Sequence, residues 1–177
     1  MEAFPPMPQD DLVARLAGQI DAAKKAERFA TDAQHVADLR RRGACRLHAV
    51  CAGFVESVNR RLSETTLDLA PTAYTPEMFR DSGPNLIRIG SEGRELQITF
   101  GATAQLVSTE KFLVPYVLEG EIRAYNQKML ERFEIRSQPV FFCLKDDDAD
   151  WRFFDWRTRR TGPVNGELLV ELMGRLF

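Results

Sequence analysis

The stretch Asn85–Ala102, NLIRIGSEGRELQITFGA, decides the fold class of this chain. Apolar and polar residues alternate on either side of the segment GSEGRE; Ile87 and Ile89, for example, flank Arg88. Alternation with a period of two places the apolar side chains on one face of a strand, and a Gly-rich segment between two such runs is typical of a β-hairpin. The sequence therefore predicts two antiparallel strands joined by a turn.

Strand-like runs continue toward the C-terminus. They are FLVPYVLEGEIRAYN (112–126), MLERFEIR (129–136), VFFCLK (140–145) and WRFFDWR (151–157). Alternation breaks at Glu119-Gly120, which predicts a bulge or bend there. After these runs, Asn165 is a suitable N-cap for a last helix, whose apolar positions run from Leu168 to Leu176.

Helical spacing dominates the N-terminal third. Leu12, Val13, Leu16, Ile20 and Ala23 predict a first helix over residues 9–29. From Leu47 onward, apolar residues recur every three or four positions. This spacing predicts a second, long helix that continues to about residue 63.

Three positions in the second helix carry specific expectations. Thr31, followed by Gln34, forms a capping-box pattern, so we expect Thr31 to cap the helix. Gly43 and Gly53 each weaken a helix by about 1 kcal/mol relative to alanine. Such glycines indicate a close approach between the helix backbone and a neighbouring element.

These elements together predict an α+β fold. We expect two N-terminal helices, the second one long, then an antiparallel meander of about five to six strands, then a C-terminal helix. We expect residues 1–177 to form a single domain, with a helical part at 1–64, mainly sheet at 65–164 and the C-terminal helix at 165–177.

Composition indicates an ordinary soluble protein. The 177 residues carry a net charge of −2, and three cysteines, an odd number, suggest reduced thiols. No run approaches the roughly 18 apolar residues of a membrane span, and the N-terminus lacks the basic and apolar regions of a signal peptide. We therefore expect a cytoplasmic protein that does not enter a membrane.

The last predicted strand carries large aromatic residues on both faces. An antiparallel sheet with one solvated face is normally polar on that face, so something should cover both faces here. Three arrangements remain open: a core closed internally by the helices, a homodimer interface, and a groove for a small molecule or a peptide. The residues that we expect to line a binding site are Arg123, Tyr125, Trp151, Phe153, Asp155 and Trp156.

The sequence contains only weak patterns for a catalytic or metal-binding site. Cys45, His48 and Cys51 lie three residues apart, a spacing from which side chains on one straight helix converge poorly on a metal ion, so we expect neither a metal nor a cofactor. The strand region contains no histidine to act as a base. We read the acidic segment Asp146–Asp150 as a solvated turn, and its position beside the C-terminal arginines argues against nucleic acid.

The sequence therefore favours a non-enzymatic binding or assembly module. We expect self-association as a homodimer through the aromatic sheet face. The alternative is a small-molecule-binding protein or an enzyme with a sheet-lined pocket, and the sequence does not decide whether the chain is an enzyme.

Overall fold

The computed structural model describes residues 9–30, 32–145 and 148–177, with the backbone alone for residues 26–30. The helices are α1 (Gln9–Ala30), α2 (Ala33–Asn59), α3 (Gln127–Glu131) and α4 (Gly166–Gly174), with a short 3₁₀ helix at Pro76–Met78. The strands are β1 (Asp68–Ala70), β2 (Asn85–Ser91), β3 (Arg94–Ala102), β4 (Tyr116–Asn126), β5 (Arg136–Lys145), β6 (Asp148–Asp155) and β7 (Arg160–Pro163).

The strands form one antiparallel meander in the order β1 to β7, each paired with the next along the chain. The predicted α+β class is confirmed, and the described sheet has seven strands rather than five or six. The β2–β3 hairpin closes through Glu92 and Gly93, whose φ angles are 48° and 77°. Two successive positive φ angles match the right-handed twist of the flanking strands, which explains the tight turn.

Three local predictions are wrong in detail. MLERFEIR is not a strand: Asn126 accepts a hydrogen bond from the Met129 N–H (3.0 Å) and starts α3, and Phe133 follows with a φ of 53°. The register shift in β4 lies between Tyr116 and Leu118 rather than at Glu119-Gly120. Strand β6 ends at Asp155, so Trp156 belongs to the turn before β7.

The first helix is confirmed, and the long second helix begins one residue later than the capping-box pattern indicates. Thr31 lies outside the described residues. Asp32 is the N-cap of α2, and its carboxylate accepts hydrogen bonds from the N–H groups of Gln34 (3.1 Å) and His35 (3.3 Å). A cap of this kind satisfies two of the backbone donors that a helix N-terminus leaves without a partner.

Helices α2 and α4 cover one face of the sheet and form the main core with it. The helical side chains of this core include Leu39, Leu47 and Phe54 of α2 and Leu169 and Leu172 of α4. The sheet contributes alternate residues from its strands: Ile87, Ile89, Leu96, Ile98, Phe100, Leu118, Ile122, Val140, Phe142, Trp151 and Phe153.

The opposite surface of the sheet, hereafter the open face, faces away from α2 and α4. A second, smaller cluster lies there, made of Tyr116, Phe141 and Cys143 with Phe112 and Phe154 packed against it. Phe112 belongs to the loop between β3 and β4, and its ring stacks on Phe141 with centroids 5.1 Å apart. The loop thus covers part of the open face. Within the described residues, no helix is both long and apolar enough to cross a membrane.

Candidate functional site

The open face carries a groove of about 540 Å³. Its position follows from strand register, because Thr99 of β3 lies opposite Glu121 of β4, and Glu121 lies opposite Pro139 of β5. The same alternation places Glu119 beside Phe141. The groove is therefore assembled from three neighbouring strands, with polar groups from β3 and β4 on one side and an apolar floor from β5 on the other.

Two aromatic side chains and one loop complete the walls. Trp156, in the turn after β6, is 57% exposed and lines the groove beside Phe141. Its ring meets Phe154 edge to face, with centroids 4.4 Å apart. Lys111, from the loop between β3 and β4, places its Nζ atom 3.3 Å from Oε2 of Glu119.

The charged lining has an excess of one negative charge. Three ionisable side chains line the groove: Lys111, Glu119 and Glu121. Lys111 pairs with Glu119, while Glu121 pairs with Arg123, which stands on the same face of β4 outside the groove. These pairs are half-exposed or more on their basic side, so each contributes modestly to stability and can exchange partners with a ligand.

Further along the open face, a second polar group surrounds Glu95. The Arg88 guanidinium donates to both carboxylate oxygens of Glu95, at 2.8 and 2.7 Å, and the Tyr125 hydroxyl donates to Oε1 at 2.9 Å. The hydrogen bonds from Arg88 hold the pKa of Glu95 below its usual range. Partial burial, followed by the hydrogen bond to Glu95, raises the pKa of Tyr125.

The structure separates the six residues that the sequence indicated. Trp151 and Phe153 are buried in the main core, where Trp151 donates from Nε1 to the Gly43 carbonyl at 2.7 Å. For these two residues, burial within the single chain is the arrangement expected of an internally closed core.

Three of the remaining four lie on or beside the open face. Trp156 lines the groove, and Arg123 pairs with Glu121 of its lining. Tyr125 lies further along the same face of β4 and donates to Glu95. Asp155 instead organises the β6–β7 turn, accepting hydrogen bonds from the N–H groups of Arg157 (2.9 Å) and Thr158 (3.4 Å). Hydrogen bonds from Thr158 and from the Arg157 backbone hold the pKa of Asp155 below its usual range.

Several groove residues could not be chosen from the sequence. Thr99 and Lys111 become part of the site only through strand register and the course of a loop, neither of which has a local sequence signal. Glu119 and Glu121 did carry such a signal. They share the alternation face of Arg123 and Tyr125, which could have added them to the predicted site.

None of the described cysteines or histidines lines the groove. His48 donates from Nε2 to the Pro71 carbonyl at 2.7 Å and stacks on Tyr74. Burial raises the pKa of the Cys51 thiol to about 12 and that of Cys143 to about 12, which makes both poor nucleophiles at neutral pH. Among the described residues, no three His, Cys, Asp or Glu side chains are grouped so as to hold a metal ion.

Comparison with known proteins adds no assignment. Protein-family models, curated proteins and solved structures were each compared with the chain, and none matches it.

Proposed function

We propose that the chain is a non-enzymatic binding module whose groove on the open face takes a small organic cation with an apolar body. The observation that carries this proposal is the exposure of Trp156 at the wall of the groove, while Trp151 is buried in the core. A large exposed aromatic ring beside a concave surface is typical of a ligand site. The groove volume of about 540 Å³ is within the range of small-molecule sites.

The chemistry of the lining selects the ligand class. Two carboxylates against one lysine favour a positive charge on the ligand. The Trp156 ring can attract the same charge through its π face, and Phe141 and Pro139 offer apolar contact to the remainder of the molecule. An anionic ligand would meet Glu119 and Glu121 inside the groove, where Lys111 is the one basic side chain of the lining; Arg123 pairs with Glu121 from outside the lining.

Self-association through the aromatic sheet face stays a prediction. Because Trp151 and Phe153 are buried, fewer aromatic rings are exposed to form such an interface. Trp151 and Phe153 face α2 and α4, so a partner docking on the open face would meet Trp156 but neither of these rings. A single exposed indole is better suited to a small-ligand groove than to an extended protein interface, because protein interfaces depend on several clustered side chains that become fully buried.

Tryptophan fluorescence tests the proposal directly. Because Trp151 is buried and Trp156 exposed, a ligand in the groove should change mainly the fluorescence that a soluble quencher can reach. The probes are a panel of small aromatic amines and quaternary ammonium ions, with aromatic carboxylates of matched size. We expect cationic members to protect Trp156 from acrylamide and to raise the melting temperature, and carboxylates to do neither.

Three variants make the test specific. Trp156→Ala should weaken binding by about tenfold or more. Gly101→Leu should block the groove. A Cβ atom at Gly101 would meet no atom closer than 3.4 Å, so the backbone accepts a side chain there, and the leucine side chain would then occupy the groove. Phe133→Ala, which removes a 93% exposed ring outside the groove lining, is the matched control. Equal binding by all three variants, or no binding by any cationic probe, would refute the groove as a cation site.

A further inference from the structure

Helix α1 presents an apolar stripe to solvent. Every residue from 9 to 25 is exposed. Four large aliphatic side chains, Leu12, Val13, Leu16 and Ile20, are between 49% and 59% exposed. The proposed groove does not explain this stripe, since no residue of α1 lines it.

The spacing of the stripe is that of a helix pair. Val13, Leu16, Ile20 and Ala23 follow one another at intervals of three, four and three residues, which is the seam pattern of a two-stranded coiled coil. The larger side chains lie in the first half and middle of the seam, and the small Ala23 lies at its end. A partner helix that runs in the opposite direction therefore fits: when Leu16 lies opposite Ile20, Val13 lies opposite Ala23.

Charges along α1 favour the same direction. The N-terminal end carries Asp10 and Asp11, and the C-terminal part carries Lys24 and Lys25. In the antiparallel register, Asp10 beside the seam of one copy comes next to Lys24 of the other. A parallel pair would instead place acids level with acids and lysines level with lysines, which is unfavourable.

We propose that α1 is a self-association element that pairs antiparallel with α1 of a second copy of the chain. A second copy supplies an apolar seam of matching size to cover the stripe. In the antiparallel direction it also places its lysines next to the aspartates of the first copy. A lipid surface fits less well. Residues 9–25 hold three acidic and three basic side chains (Asp10, Asp11 and Asp21; Arg15, Lys24 and Lys25), whereas helices that lie on membranes are rich in lysine and arginine.

Sedimentation equilibrium of the full chain tests the association. We expect the wild type to dimerise with rising concentration, and Leu16→Glu to weaken dimerisation by about thirtyfold or more, because the charge enters the middle of the seam. Leu16 is exposed within the single chain, so this variant should keep the cooperative unfolding of the main core. A wild type that stays monomeric up to a chain concentration of about 100 μM would overturn the proposal.

Charge reversal tests the antiparallel register, even if Leu16→Glu reduces the helicity of α1. Asp10→Lys and Lys24→Glu should each weaken dimerisation by about fivefold to tenfold, because each creates two contacts between like charges. The double variant, or a mixture of the two single variants, should recover it. Asp11→Lys is the matched control, since it makes the same change on the side of the helix away from the seam.

Two outcomes would refute the proposal outright. Unchanged dimerisation of Asp10→Lys would exclude the antiparallel register. Binding of the wild type to vesicles of phosphatidylglycerol, without self-association in their absence, would assign the stripe to a lipid surface instead of a second copy.

Discussion

Replacing Gly43 with alanine should destabilise the protein, although alanine is the better helix former. Gly43 lies in α2 where the helix meets the sheet. A Cβ atom on Gly43 would lie 2.6 Å from Cδ1 and 2.7 Å from Cε1 of Phe142, and 2.9 Å from Cδ1 of Leu118. Both neighbours are buried, so neither can move into free space. The added methyl group must therefore displace the helix or the ring.

Displacing the helix has a second cost. Trp151 packs against Phe142 with ring centroids 5.3 Å apart, and its Nε1 donates to the Gly43 carbonyl at 2.7 Å. Overpacking a core costs about 1–3 kcal/mol, and weakening a buried hydrogen bond costs about 0.5–1.5 kcal/mol. The gain in helix propensity offsets about 1 kcal/mol. We expect Gly43→Ala to lower the free energy of unfolding by about 1–3 kcal/mol.

The same helix supplies the control. Gly53 is exposed, and a Cβ atom there would meet nothing within 4 Å. Gly53→Ala should therefore raise the free energy of unfolding by up to about 1 kcal/mol. Urea unfolding followed by circular dichroism measures both variants, and the comparison requires equal m-values. If Gly43→Ala is as stable as Gly53→Ala, the close contact between α2 and the sheet does not exist as described.

Two further predictions concern a helix cap and an acidic group. Asp32→Ala should lower the free energy of unfolding by about 1 kcal/mol, because the N–H groups at the start of α2 lose their acceptor; an unchanged urea midpoint would mean that another group caps α2. Arg88 holds the pKa of Glu95 below its model-compound value of 4.5, so the folded chain binds this proton more weakly than the unfolded chain. The resulting stabilisation is present above pH about 4.5 and is lost as the pH falls through the lower, folded-state pKa. Unfolding measured from pH about 6 to pH about 3 should show a shallower acid loss for Glu95→Gln than for the wild type, and an equal acid loss in both proteins would contradict the role of Arg88.

Local sequence patterns were sufficient for the elements whose side chains repeat over many residues. Helix α1 and the β2–β3 hairpin lie where their patterns place them, and Asn165 caps α4 by accepting from the Leu168 N–H at 3.2 Å. The patterns failed where elements are short. Strands β1 and β7 have three and four residues, too few for alternation to be recognised.

Glycine in α2 illustrates a prediction that only half succeeded. Both glycines were expected to mark close approach of the helix to a neighbour. Gly43 does so, because it faces Phe142, whereas Gly53 faces solvent. The sequence shows that neither position of the helix carries a side chain. Which side of the helix meets the sheet depends on how α2 is rotated over the strands.

The aromatic strand shows most clearly what each level decides. By itself, the sequence determined that β6 carries large rings on both faces and that the fold is α+β, because residue type and spacing control local conformation and which side chains share a face. It could not determine which face the helices cover. Tertiary structure placed Trp151 under α2 and left Trp156 at a groove with Glu121 and Lys111. That outcome depends on strand register and on the course of the loop between β3 and β4, and both are set by contacts between residues far apart in the chain.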